Sequence, residues 1–221
     1  MKRFLFLIVL FSSIVVSAQD TLPIVALKGN DTSKPLIFYI SGDGGLTNSF
    51  SSSFTKKFNQ HGYSIVGLDA KKYFWDKKKP KQASDDVSKL LAKYMKEWNC
   101  KSFVFIGYSF GADVSPFIET RFPRNISEQL KHTILMSPSK KTDFEIHLLG
   151  MLGIGGNSGE SVPDEINKLT RPTTLIFGDD ENDFPVKSIT SKKIDTIKLP
   201  GGHHYDGNVD EVIETIISKI K

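Results

Sequence analysis

Short apolar runs alternate along the chain with stretches of helical period. Pro35–Ile40 (PLIFYI), Tyr63–Leu68 (YSIVGL), Ser102–Gly107 (SFVFIG), His132–Met136 (HTILM), Thr173–Phe177 (TTLIF) and Asp195–Leu199 (DTIKL) are rich in β-branched and aromatic side chains. Most are apolar at consecutive rather than alternate positions, the pattern of strands covered on both faces of a parallel sheet. Between them, Phe50–Gln60, Ser84–Trp98, Ala112–Thr120 and Val209–Ile220 carry apolar residues at helical spacing. In Ser84–Trp98, residues Val87, Leu90, Leu91, Tyr94, Met95 and Trp98 share one face. Ser84 followed by Asp85 and Asp86 predicts the cap and first turn of that helix. Regular alternation of β and α elements predicts a doubly wound, mainly parallel sheet in a single α/β domain. The exception is 137–172, with Gly150, Gly153, Gly155, Gly156 and Gly159, which predicts a small cap excursion over the site.

The first residues change the picture by adding a compartment. Lys2 and Arg3 precede an apolar run from Phe4 to Val16, and Val16-Ser17-Ala18 ends it with residues suited to a signal peptidase. The run is shorter than the ~20 residues that span a bilayer. A signal peptide over 1–18 is therefore expected, with residues 19–221 as the mature domain and the periplasm or exterior as its location. No cysteine follows the run, which argues against a lipoprotein. Cys100, the only cysteine, can form no internal disulfide, and its place before an apolar strand predicts a small buried hydrophobe. The balance of 39% hydrophobic to 24% charged residues is that of an ordinary globular domain and excludes disordered or fibrous classes. The net charge of +4 is concentrated at Lys71, Lys72, Lys77, Lys78, Lys79 and Lys81. Such a run predicts a solvated loop, or contact with an anionic membrane surface. No nucleic-acid motif accompanies it.

The chemistry is carried by Gly107-Tyr108-Ser109-Phe110-Gly111, a G-x-S-x-G pattern that follows one predicted strand and opens a predicted helix. A strand-to-helix turn this tight needs small residues beside the serine and thrusts the hydroxyl out at the carboxyl end of the sheet. Ser109 is thus the candidate nucleophile of an α/β-hydrolase fold. A serine hydroxyl needs a base, and in that fold the histidine follows the last strand. Pro200-Gly201-Gly202-His203-His204-Tyr205-Asp206-Gly207 lies there, with His203 the first candidate and His204 the second. His61, His132 and His147 fall in the wrong places for a base. The acid that orients the imidazole is expected after Phe177, in Gly178-Asp179-Asp180-Glu181-Asn182-Asp183. Asp183, followed by Phe184-Pro185-Val186, is the first choice there and Asp180 the second. The oxyanion donors expected are the backbone N–H of Phe110 and one from Asp43 or Gly44 in the loop Ser41–Gly45. Tyr73, Phe74 and Trp75 are candidates for an apolar wall against an acyl or lipid substrate. No metal-ligand cluster is apparent, and the expected chemistry needs no cofactor.

Five segments taken in order carry a closer resemblance. They are GDGG at Gly42–Gly45, KYFW at Lys72–Trp75, GYSFGADVSPF at Gly107–Phe117, FEIHLLGMLG at Phe144–Gly153 and GGHHYDG at Gly201–Gly207. Together they resemble the bacterial VirJ/AcvB virulence-protein family over nearly the whole mature chain. Leu46 stands where that family usually has Trp after GDGG. The resemblance implies an exported α/β-hydrolase tied to virulence-related secretion and to periplasmic hydrolysis of lysyl-phosphatidylglycerol. It implies Ser109 as nucleophile and the His203/His204 loop as the source of the base. The expected function is ester hydrolysis of an aminoacylated phospholipid. The competing readings are a non-catalytic accessory factor that binds secretion-system proteins, and a carboxylesterase for small esters.

Overall fold

The computed structural model describes residues 22–146 and 159–221. The expected signal peptide, His147 and most of the Phe144–Gly153 motif lie outside the described residues. The described strands are β1 (Ile24–Leu27), β2 (Leu36–Ile40), β3 (Ile65–Leu68), β4 (Phe103–Tyr108), β5 (Leu130–Met136), β6 (Lys141–Thr142), β7 (Glu160–Ser161), β8 (Thr173–Gly178) and β9 (Ile194–Leu199). The helices are α1 (Ser49–Gln60), α2 (Ala70–Tyr73), α3 (Pro80–Glu97), α4 (Phe110–Glu119), α5 (Arg124–Ser127), α6 (Val162–Ile166) and α7 (Val209–Ile220). Seven strands form one sheet in the order β1-β3-β2-β4-β5-β8-β9. All neighbours run parallel except β1, which pairs antiparallel with β3.

The apolar runs form this sheet because both faces are covered. Along β2, Leu36, Phe38 and Ile40 join Phe103 and Phe105 of β4 in one core layer, beneath Val87 and Leu91 of α3, Val114 and Phe117 of α4, and Ile166 of α6. The intervening Ile37 and Tyr39 join Val104, Ile106 and Tyr108 in the second layer, against Phe54 and Phe58 of α1 and Val212, Ile213 and Ile216 of α7. The two-residue period of a strand thus feeds two cores at once. Cys100 is buried.

Three features depart from the sequence pattern. β1 was not expected; it is a four-residue, partly exposed edge strand too short to show a period. α3 begins at Pro80 rather than at Ser84, because proline's fixed φ and absent N–H suit the first helical position. Ser84 then lies inside the helix, buried. The described ends of the 137–172 excursion pack onto the body: β6 pairs with β7, and Val162, Ile166 and Leu169 enter the first core. Residues 147–158, where the rest of the expected cap falls, are outside the described residues.

The strand order reverses direction between β2 and β4, so the loops after these two strands diverge at the carboxyl rim of the sheet. Ligand crevices in open α/β sheets form at such a point. Both cores are rich in aromatic side chains. Phe54 is fully buried and its ring centroid lies 4.6 Å from that of Tyr39 and 4.9 Å from that of Phe58. Phe54→Ala should lower the unfolding free energy by about 3–5 kcal/mol, measured by denaturant titration of the purified chain.

Candidate active site

β4 delivers Ser109 into a turn with φ 52° and ψ −122°, a backbone region disfavoured for any residue with a side chain. The surroundings impose it. A Cβ on Gly111 would stand 2.2 Å from the Ile40 carbonyl oxygen, and one on Gly107 would stand 2.5 Å from the Gly111 carbonyl oxygen. Only glycine lets α4 start this close to the ends of β2 and β4. The Ser109 N–H donates to the Met136 carbonyl at 2.8 Å, and its carbonyl accepts from Ala112 and Asp113. Gly42, at the end of β2, lies against the Ser109 side chain. None of the N–H groups of Asp43, Gly44 and Phe110 donates to a protein acceptor among the described residues. For Phe110 this follows from its place in the first helical turn.

The loop after β9 brings His203 to the hydroxyl: Nε2 lies 2.8 Å from Ser109 Oγ. His204 turns elsewhere, its Nδ1 2.5 Å from the Tyr108 hydroxyl. That hydroxyl also donates to the His203 carbonyl at 3.1 Å. Of the remaining histidines, His132 Nε2 lies 2.9 Å from Thr174 Oγ1 and His61 is exposed.

The carboxylate against the imidazole is Glu181, and this corrects the expectation of Asp183 or Asp180. Glu181 Oε1 lies 2.7 Å from His203 Nδ1, while Oε2 accepts from the Ser137 hydroxyl at 2.6 Å and the Gly178 N–H at 2.8 Å. The reason is local. A turn closed by the Glu181 N–H on the Gly178 carbonyl folds the side chain back onto the strand end, towards Ser137 and His203. Asp180 and Asp183 are exposed and make no hydrogen bond to His203. Sequence reasoning also missed Ser137, which comes from the end of β5, and Tyr205, whose hydroxyl lies 2.7 Å from Ser137 Oγ. No short-range signal could have joined them to Glu181.

Electrostatics follow the hydrogen bonds. The bond to Glu181 holds the His203 imidazole above its ordinary value, against the opposing effect of burial; the charges of Glu181, Asp113 and Asp43 add to the rise. Burial pushes the Glu181 carboxyl up, but hydrogen bonds from His203, Ser137 and Gly178 outweigh it and hold the group below its usual value. Asp113, on α4, is 6% exposed. It accepts from the Ser139 N–H at 2.6 Å and the Ser139 hydroxyl at 2.5 Å. Burial carries its carboxyl up to about 7, the Ser139 bonds opposing. Asp113 thereby ties the loop after β5 to the helix that follows the serine.

Two clefts flank the pair. One, of about 450 Å³, is lined by Ser137, Ser139, Lys140, Lys141, Phe177, Asp180, Glu181, Asp183, Phe184 and His203. The other, of about 480 Å³, is lined by Gly42, Asp43, Gly44, Asn48, Phe50 and His204. Tyr73 and Phe74 line neither, which corrects their expected role as a substrate wall. Both are buried: the Tyr73 hydroxyl donates to Asp86 at 2.7 Å, and the Phe74 ring packs edge-on to Phe110 at 5.3 Å. Trp75 is open to solvent. Among the described residues, no three His, Cys, Asp or Glu side chains gather as a metal site.

Comparison with known proteins follows the same lines. A lipase-esterase related protein from Clostridium acetobutylicum is similar with a TM-score of 0.63 at 17% identity, over 89% of this chain and 98% of that one. MenH from S. aureus gives 0.62 at 14% identity, over 89% and 97%. Est1E from Butyrivibrio proteoclasticus gives 0.59 at 16% identity, over 89% and 93%. At these identities the likeness is one of fold, and the fold is that of the α/β-hydrolases. No curated protein sequence matches. The sequence model described as "Bacterial virulence protein (VirJ)" matches residues 34–221. With nearly all of the described fold inside that match, the chain belongs to the VirJ family of bacterial virulence proteins.

Proposed function

We propose that the chain is a serine ester hydrolase in which Ser109 is the nucleophile, His203 the base and Glu181 the orienting acid. The observation that carries this reading is the pair of contacts on one imidazole, 2.8 Å to Ser109 Oγ and 2.7 Å to Glu181. In the reaction, Ser109 Oγ bonds to the ester carbonyl carbon while its proton passes to His203 Nε2. The oxyanion takes hydrogen bonds from the Phe110 N–H and from Asp43 or Gly44. Collapse expels the alcohol, which leaves with the proton from Nε2. Water then attacks the acyl-serine by the same relay and releases the acid. Glu181 holds the Nδ1–H tautomer and stabilises the imidazolium of each step.

The substrate we propose is the ester of an aminoacylated phospholipid such as lysyl-phosphatidylglycerol. The VirJ resemblance supports it, and so does the cleft beside His203. There Asp180 and Asp183 present carboxylates that no protein cation pairs with among the described residues. A cationic acyl group seated on Ser109 would meet Asp180 and Asp183 in that wall, alongside Lys140 and Lys141. We place the reaction outside the cytoplasm, on the strength of the charged-then-apolar start of the sequence and the small residues that end it.

Two tests follow. Ser109→Ala should abolish labelling by a fluorophosphonate probe together with lysyl-phosphatidylglycerol hydrolysis. Hydrolysis that survives the substitution sinks the mechanism. Labelling with turnover of short-chain esters alone keeps the mechanism and removes the lipid substrate. The absence of labelling in the wild type favours a non-catalytic accessory factor. The second test concerns pH. The base works as neutral imidazole, so activity rises with pH through the His203 value, which Glu181 holds above the ordinary one. Glu181→Gln should lower kcat on the order of 10⁴-fold and move the acid limb of kcat/KM to lower pH. A limb that stays in place or moves upward would show that Glu181 does not act on His203.

A further inference from the structure

The segment between α2 and α3 does not serve the chemistry, yet it holds the most conspicuous surface of the protein. Trp75 is 52% exposed, more than any other large apolar side chain among the described residues. Around it in sequence, Lys71, Lys72, Lys77 and Lys79 are exposed, and none of their ammonium groups has a partner among the described residues. Lys81 by contrast pairs with Asp85, and Lys78 stands over the Tyr73 ring. One carboxylate, Asp76, interrupts the run. An indole left in water beside unpaired ammonium groups is unfavourable in isolation. It is the composition that suits the boundary between lipid headgroups and acyl chains, where the ring buries its body and keeps its N–H in the polar layer.

The placement is equally specific. β3 and β4 both run parallel to β2, so α2 and Ser109 leave the sheet at the same rim. Phe74 fixes the segment there. Its ring packs on Phe110, the residue after the serine, and its carbonyl accepts from the Ile146 N–H at 2.9 Å. The Lys78 N–H in turn donates to the Phe144 carbonyl at 3.1 Å. Trp75 is therefore held on a braced loop next to the nucleophile's helix.

We propose that Trp75, with Lys71, Lys72, Lys77 and Lys79, forms a docking surface for an anionic phospholipid bilayer, which seats the carboxyl rim of the sheet on the membrane. Charge complementarity selects this occupant: the lysines meet lipid phosphates and the indole enters the interface. The surface goes beyond the proposed reaction and does not depend on Ser109.

The test uses the full chain, whose apolar N-terminal run is common to every variant, and reads out from Trp75. The chain has two tryptophans, and Trp98 is buried, so a change in emission on adding vesicles reports Trp75. Vesicles of phosphatidylglycerol and phosphatidylcholine should shift the emission to the blue, whereas pure phosphatidylcholine should not. The shift should vanish in about 1 M salt, where the screening length is roughly 3 Å. The combined Lys71→Gln, Lys72→Gln, Lys77→Gln and Lys79→Gln variant should bind anionic vesicles on the order of 1000-fold more weakly, with fluorophosphonate labelling of Ser109 unchanged. An emission that does not move, an equal shift on neutral vesicles, or undiminished binding by the glutamine variant overturns the proposal. Loss of wild-type labelling would instead remove the hydrolase reading and leave the vesicle result standing.

Discussion

The close approach of α4 to β2 sets the geometry on which the rest of the rim depends. Gly111 rests on the Ile40 carbonyl with no room for a side chain. With the helix held there, the turn before it has nowhere to go but the strained conformation at Ser109. The end of β2 then runs directly beside the serine, with Gly42 against its side chain. One steric constraint thus brings the strained serine and the loop after β2 together. The cost of the strained residue, of order 1–3 kcal/mol, is carried by the two-sided core beneath it.

A second layer of buried and part-buried polar groups converts that placement into fixed orientation. Glu181 collects donors from three separate segments: its own turn, the end of β5 and the loop after β9. Tyr205 backs Ser137, Tyr108 braces the His203 carbonyl, and Asp113 ties down Ser139. Half-satisfied networks of this kind destabilise a fold, whereas satisfied ones rigidify it. Here each carboxylate oxygen of Glu181 and Asp113 has a donor.

The strands, the elbow and the loop after β2 were legible because their signals are local. A buried parallel strand is a run of apolar residues, and a tight turn is a spacing of glycines. What the sequence left open depended on contacts between distant segments. His203 and His204 are equivalent as letters; the Tyr108 hydroxyl, 96 positions away from His204, engages the second ring. Asp183 was preferred over Glu181 from its neighbours in sequence, yet the choice is made by a turn closed on Gly178 and by Ser137 across the sheet. Tyr73 and Phe74 looked like a substrate wall because aromatic residues near a rim suit one, but both are drawn into the core by α3 and Phe110.

The two borders of the sheet bear on how the chain behaves when crowded. An open strand edge offers unpaired backbone groups to any neighbouring molecule and invites association into larger aggregates. On one side the last strand, β1, is four residues long and antiparallel to its neighbour. On the other, β9 alternates its few apolar residues with Asp195 and Lys198, and Asp195 is pinned to Lys219 of the closing helix. A short edge and a charged edge both discourage strand addition, so each border of the sheet carries its own guard against runaway self-assembly.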